Sequence, residues 1–247
     1  MPCNIVAIAD IHAAEEDPVD CPTRRGAMAE ILLFGAVRRI NCCLKPDVTV
    51  LLGDLLDHGE EAGAPAMRQR LRAMLDLLDS PVIVIPGNHD GNVEAFYREM
   101  PRPAESIEAG GARFLAFLDP EEPNYQARRT TVDLRRMKQA NTGFNGPIVT
   151  LQHVPLLPLG QGSSPYRFTN DKAILRAMRA GGITLAISGH YHYGEPLIRQ
   201  GTEAFIVTPA FCEEPFVFLQ IILDGEAITV NRHELRLPME FGKSEDS

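Results

Sequence analysis

The sequence predicts an α/β fold that carries a second, strand-rich part. In the first half of the chain, short apolar runs rich in β-branched residues alternate with segments whose apolar residues recur at helical spacing. In the last third, runs of strand type follow one another with little helix between them. We therefore expect a first sheet covered by helices, with a second, more antiparallel sheet packed on it.

The first half contains three predicted strands and two predicted helices. Thr23 is a plausible N-cap for the first helix, and Pro46 ends it. Pro86 and Gly87 end the third strand, whose continuous β-branched residues indicate burial on both faces. In chain order the elements are a strand over 4–9, a helix over 23–44, a strand over 47–52, a helix over 66–78 and a strand over 82–85.

The second half is predicted on the same patterns. Asp224 and Gly225 form the expected turn of a C-terminal hairpin. We expect one domain over 1–237 and a polar tail over 238–247. The elements are helices over 93–100, 131–140 and 170–179, and strands over 113–118, 148–151, 183–187, 204–207, 216–223 and 227–232.

Composition limits the function classes. A net charge of −9 over 247 residues argues against a non-specific binder of nucleic-acid polymers or membranes, which would be basic. The five cysteines are odd in number and contain no CxxC, which indicates free thiols and a cytoplasmic protein. No apolar run approaches the length of a membrane span, and no signal peptide is expected. The C-terminal hairpin offers a sheet edge through which a homo-oligomer could form.

Polar residues of metal-binding type follow five of the predicted strands. In extended backbone, residues two apart point to the same side, so each Asp–His or His–His pair could reach one centre. Carboxylates, imidazoles and an amide without a thiolate suit Mn, Fe or Zn. Seven or so ligands are too many for one catalytic ion and fit two ions that share a carboxylate, with Asp54 as the natural bridge. The strand-end residues are Asp10 and His12, Asp54, Asn88 and His89, His153, and His190 and His192.

The segments DIH, GDLLD, GNHD, a solitary His153 and GHYH occur in this order. The series resembles that of the calcineurin-like metallophosphoesterase superfamily, with the pattern DxH, GDxxD, GNH(D/E), H and GHxH. Every fixed position is filled, and the motifs span about three-quarters of the chain, from Asp10 to His192. The resemblance implies a four-layer αββα sandwich of two mixed sheets flanked by helices.

The resemblance also implies roles for the residues of the motifs. His89 would not bind metal but would protonate the leaving oxygen and stabilise the transition state. Asp57 would orient His89 and favour its charged form. A metal-bridging hydroxide would attack phosphorus in line. One ion would be held by Asp10, His12, Asp54 and His192, and the other by Asp54, Asn88, His153 and His190.

Three functions are compatible with these residues. GNHD, the compact size and the lack of an added domain resemble the bacterial cyclic-nucleotide branch, which favours a phosphodiesterase for a small nucleotide-type substrate. The alternative is a phosphomonoesterase acting on a nucleotide, a sugar phosphate or a phosphoprotein. A non-catalytic scaffold of the same fold is a minor alternative, because scaffolds lose ligands and this chain keeps them all.

Four further residues near the motifs have two interpretations each. Asp90 either holds the loop or the geometry of His89, or it contacts substrate. Tyr191, between two histidines, either stacks on a base or packs in the fold. Arg24 and Arg25 either reach a phosphate from the rim or lie in solvent at a helix start.

Overall fold

The computed structural model describes residues 2–236, so the predicted tail over 238–247 lies outside the described residues. The strands are β1 (Cys3–Ile8), β2 (Val48–Leu52), β3 (Val82–Ile85), β4 (Ile107–Ala109), β5 (Ala112–Ala116), β6 (Glu121–Glu122), β7 (Gln126–Ala127), β8 (Ile148–Leu151), β9 (Leu185–Ser188), β10 (Glu195–Gln200), β11 (Glu203–Val207), β12 (Val217–Asp224) and β13 (Ala227–Glu234). The α-helices are α1 (Ala29–Arg39), α2 (Ala64–Leu75), α3 (Val93–Glu99), α4 (Thr131–Lys138) and α5 (Asp171–Ala180).

Two mixed sheets carry the fold. Sheet one has the order β13-β12-β1-β2-β3, and sheet two has the order β10-β11-β9-β8-β5-β4. The strands β1, β2 and β3 are parallel, as are β5, β8, β9 and β11, while β12, β13, β10 and β4 pair antiparallel. Strand β13 forms an edge of sheet one, where pairing between copies was expected; the oligomeric state stays a prediction.

The layers follow from the alternation of side chains along the strands. On β1, Ile5 and Ala7 are buried between the two sheets, whereas Val6 and Ile8 are buried under the helices α1, α2 and α3. Helices α4 and α5 cover the outer face of sheet two in the same way. The predicted αββα sandwich is therefore confirmed.

The first helix of the structure is shorter than the helix predicted over 23–44. Thr23 is not an N-cap: the chain first makes a 3₁₀ turn at Gly26–Met28, and α1 begins at Ala29 without a side-chain cap. A Cβ on Gly26 would lie 2.4 Å from the backbone oxygen of His12, so this turn packs directly on the first motif. At the other end, a π-turn over Ile40–Leu44 closes on a left-handed Lys45.

Strands β4, β6, β7 and β10 were not predicted. Three of them have only two or three residues, and β10 is an edge strand of sequence EPLIRQ whose proline and charges hide its strand character. Among residues 2–236, every helix is too short or too polar to cross a membrane. All five cysteines are free thiols.

Candidate active site

The predicted site residues meet at one end of the sandwich, where β1, β2, β3, β8 and β9 end. Among the described residues, four groups of potential ligand atoms form there, each with its atoms within 4.8 Å of one another. Two of these groups consist only of predicted metal ligands and form two clusters. The first cluster consists of Asp10, His12 and His192, and the second of Asp54, His153 and His190. Asn88 joins the second cluster, since its Oδ1 lies 3.0 Å from His153 Nε2.

Asp54 lies between the two clusters. Its Oδ2 is 3.6 Å from His12 Nε2 and 3.3 Å from His153 Nε2, so one oxygen faces a histidine of each cluster. Its Oδ1 accepts a hydrogen bond from the backbone N–H of His89 at 2.8 Å. Burial opposes the charge of Asp54, but the neighbouring His153 lowers the pKa well below its usual range, so the carboxylate stays ionised.

The strand ends are not extended where they deliver these side chains, so the argument from extended geometry was wrong. Asp10, His12, Asp54 and His190 all have left-handed backbones, with φ of 55°, 47°, 52° and 67°. Non-glycine residues rarely adopt this conformation, and such residues concentrate at functional sites. Asp10 and His12 do join one cluster, but His190 and His192 belong to different clusters.

Two motif glycines allow the strand ends to approach each other closely. A Cβ on Gly87 would lie 2.2 Å from Asp54 Oδ1. A Cβ on Gly53, whose φ is +92°, would lie 2.6 Å from His153 Nδ1. Any side chain at these two positions would therefore push carboxylate and imidazole apart.

Hydrogen bonds at Nδ1, on the side away from the clusters, fix the orientation of three imidazole rings. The Nδ1 of His153 donates to the backbone oxygen of Leu52 at 2.7 Å, and the Nδ1 of His192 lies 2.6 Å from a carboxylate oxygen of Glu213. The Nδ1 of His12 lies 2.9 Å from Asp57 Oδ1. In all three rings Nε2 is left to face the clusters. Glu213 was not predicted, because it lies in the loop after β11, outside every motif.

Asp57 makes different contacts from those implied by the resemblance. Its Oδ1 contacts His12 and also accepts from Arg24 Nη1 at 2.7 Å. His89 Nδ1 instead donates to the backbone oxygen of Asp57 at 2.8 Å, and it lies 3.8 Å from the carboxylate. The peptide group of Asp57 therefore orients His89, while its side chain holds His12 and Arg24.

The contacts of Asp90, Arg24 and Arg25 distinguish between the two interpretations given for each of them. Asp90 is buried and accepts from the backbone N–H groups of Leu56 and Gly87 at 3.0 and 2.8 Å, so it holds the loops after β2 and β3 together. Burial, together with the Asp54 charge, raises the pKa of Asp90 to about 7. Arg24 is 19% exposed and bound to Asp57, whereas the half-exposed Arg25 points to Asp17.

Tyr191 packs in a row of aromatic rings beside the second cluster. Tyr166 makes an edge contact with His190, with the ring centroids 4.4 Å apart, and Tyr191 lies between Tyr166 and Tyr193. Tyr166 comes from the loop over 154–167, which carries no motif, so its contact with His190 was not predicted.

The donor atoms fit a pair of metal ions. Within residues 2–236, His12 Nε2 and His190 Nε2 are buried and lack a hydrogen-bond partner, which would be costly in a site meant to stay metal-free. Burial and the neighbouring His153 lower the pKa of His190 to about 3, so this imidazole is neutral, as a ligand must be. Burial lowers the pKa of His153, but the Asp54 carboxylate raises it to about 10, so the surroundings of this ring favour positive charge.

An αββα sandwich with two adjoining His–Asp clusters at its strand ends defines a dimetal phosphoesterase. This chain belongs to the calcineurin-like phosphoesterase family, whose family model matches residues 3–194. The resemblance read from the motifs is thus confirmed.

Among curated proteins, the chain is similar to a cAMP/cGMP dual specificity phosphodiesterase of Mycobacterium tuberculosis. The two are 24% identical over 202 residues, which is 76% of this chain and 61% of the relative.

Solved structures share the fold at low identity. A dimetal phosphatase from Danio rerio superposes with a TM-score of 0.73 at 15% identity, covering 92% of this chain and 98% of that one. The protein TT1561 of Thermus thermophilus gives 0.63 at 15% identity, covering 94% and 99%. The purple acid phosphatase PPD1 from yellow lupin gives 0.61 at 13% identity, covering 95% of this chain and 52% of that one.

Proposed function

We propose that this protein is a phosphodiesterase that hydrolyses a small, nucleotide-type phosphate ester with two bound metal ions. The observation that carries the proposal is the convergence of two His–Asp clusters on the Asp54 carboxylate, with buried imidazole nitrogens that have no hydrogen-bond partner within residues 2–236. Two such ions would supply a lowered pKa for an attacking water and positive charge against the phosphate.

The residues would divide the work as follows. His12 and His192, oriented from outside by Asp57 and Glu213, would hold one ion together with Asp10. Asn88, His153 and His190 would hold the other. Asp54 would be shared by both.

His89 would act as the general acid. Its ring is 29% exposed at the edge of the clusters, and because Nδ1 donates to a carbonyl, only Nε2 can hand a proton to the leaving oxygen. Asp57 would contribute through its backbone oxygen, and its carboxylate would keep His12 in place.

A diester is favoured over a monoester by the charges around the site. A monoester dianion carries more negative charge than a diester and needs more basic groups. Of the site carboxylates Asp10, Asp54 and Asp57, only Asp57 is paired with an arginine in the described part of the chain, and that pairing occupies Arg24. The phosphodiesterase among the relatives supports the same choice.

The metal identity and the location are part of the proposal. Imidazole, carboxylate and amide donors without a thiolate suit Mn, Fe or Zn. A cytoplasmic location is supported by the five free cysteines.

The test is hydrolysis of bis(p-nitrophenyl) phosphate beside p-nitrophenyl phosphate. Metal-free protein would be reloaded with Mn²⁺, and His89→Ala would be the control for the general acid. We expect metal-dependent cleavage that is faster for the diester and drops by about 10²–10⁴-fold in the variant.

Two other results would contradict the proposal. Faster cleavage of the monoester would replace the proposal with a phosphomonoesterase. Absence of metal binding would overturn the enzyme and favour a scaffold of the same fold.

A further inference from the structure

A cavity of about 320 Å³ opens directly beside the second cluster. Asn88 and His153, two of the proposed metal ligands, form part of its wall. A phosphate held at the clusters would therefore carry one of its substituents to the mouth of this cavity. The inference below rests on the proposed function and names the class of that substituent.

The remaining wall is mainly apolar. Pro86 and Val93 come from the segment after β3, Phe117 and Leu118 follow β5, and Val154 follows His153. Tyr125, 57% exposed, stands at the rim. A wall of this kind binds by removing apolar surface from water, which favours an apolar or aromatic group.

The charges of the wall exclude an anionic group. In the part of the chain that the structure describes, neither lysine nor arginine lines the cavity, but Asp119 and Glu121 do. Asp119 is already held by the buried Arg129, through contacts of 2.6 and 2.9 Å, so it is not free to bind a cation. A second phosphate or a carboxylate would therefore meet the Glu121 charge without a basic residue of the wall to offset it.

The size of the cavity limits the group further. An apolar cavity of about 150 Å³ is enough to hold benzene. The volume of about 320 Å³ therefore has room for one or two fused rings but not for a long chain or a second nucleotide.

We propose that this cavity binds an uncharged, flat aromatic substituent of the phosphate ester, of the size of a nucleobase or an aryl group. The preferred substrates are then phosphate esters with an aromatic substituent next to the scissile phosphate. Esters of small alcohols, and esters with a second anionic group in that substituent, become poor substrates.

The test uses three diesters with one common leaving group, p-nitrophenolate, and a methyl, phenyl or 4-carboxyphenyl second group. We expect the wild-type protein, loaded with Mn²⁺, to cleave the phenyl ester at least about tenfold faster in kcat/KM than either other ester. Val93→Trp should fill the cavity from the first turn of α3. It should lower kcat/KM only for the phenyl ester, and the preference for that ester should disappear. Val132→Trp is the matched control, since Val132 is 61% exposed in the first turn of α4, away from the cavity.

A binding measurement gives a readout apart from turnover. The chain has no tryptophan, so Tyr125→Trp places the single tryptophan of the variant at the rim. Phenylphosphonate should change its fluorescence and bind about tenfold more tightly than methylphosphonate. Equal binding of the two phosphonates, or equal cleavage of the three esters, overturns the inference while the phosphodiesterase stands. Cleavage of none of the esters overturns the proposed function itself.

Discussion

Replacement of Asp57 tests how far metal binding depends on the support around the ligands. One oxygen, Oδ1, contacts both His12 Nδ1 at 2.9 Å and Arg24 Nη1 at 2.7 Å. Asp57→Asn keeps an acceptor at that point and removes only the charge. Asp57→Ala removes the contact altogether and leaves the His12 ring without its partner.

The magnitude follows from that difference. Loss of a group that holds a metal-binding histidine costs about 10–100-fold in metal affinity, or about 1.4–2.7 kcal/mol. We expect Asp57→Asn to lose about 10-fold in metal affinity and Asp57→Ala to lose about 100-fold. The loss should affect the ion proposed at His12 and spare the ion proposed at His153, whose ring is oriented by the backbone oxygen of Leu52.

The assay is isothermal titration calorimetry of the metal-free protein with Mn²⁺ at pH 7.5. Asp133→Asn is the control, because Asp133 also pairs with an arginine at 2.7 Å, Arg136, but lies on α4, away from the clusters. If Asp57→Ala binds both ions with wild-type affinity, the contact with His12 contributes nothing to the site and the reasoning fails.

Three further predictions concern the whole molecule. Asp119→Ala leaves Arg129 buried and unpaired, so we expect a loss of about 3–5 kcal/mol in the free energy of unfolding, measured in urea; a loss below 1 kcal/mol would contradict it. Burial and the Asp47 charge raise the pKa of Cys3 to about 11, and Cys212 is equally buried, so Ellman's reagent at pH 8 should titrate at most three thiols in the native protein and five in urea. Removal of metal by a chelator should lower the melting temperature by several degrees, since each ion present at 100 times its Kd stabilises by about 2.7 kcal/mol; an unchanged melting curve would argue against a bound ion.

Much of this site could be predicted because its polar residues directly follow strands in the sequence. Asp10, Asp54 and Asn88 each follow an apolar run, and parallel strands bring their carboxyl ends to one edge. The division into two layers of helix and two of sheet was implied by the resemblance, and the structure shows it in the alternation of buried side chains along β1 and β2.

The rest depends on contacts between distant segments, which no local pattern contains. Glu213 reaches His192 across 21 residues, and Arg24 reaches Asp57 across 33. Arg24 accounts for the different contacts of Asp57, because it competes with His89 for that carboxylate. The i, i+2 argument failed for His190 since the local backbone turns left-handed, which a sequence pattern based on regular strands does not foresee.

The left-handed residues at the strand ends have an evolutionary consequence. Each non-glycine residue in that region costs on the order of 1–3 kcal/mol, and Asp10, His12, Asp54 and His190 are four of them. Glycine would adopt the same backbone without that cost but would bind nothing. A descendant released from selection for hydrolysis would thus gain stability by losing these ligands, whereas a chain without them would have to become less stable before it regained the metal centre. For this fold, loss of the proposed metal ligands is therefore the direction in which stability increases, and keeping all four left-handed residues carries a cost in stability.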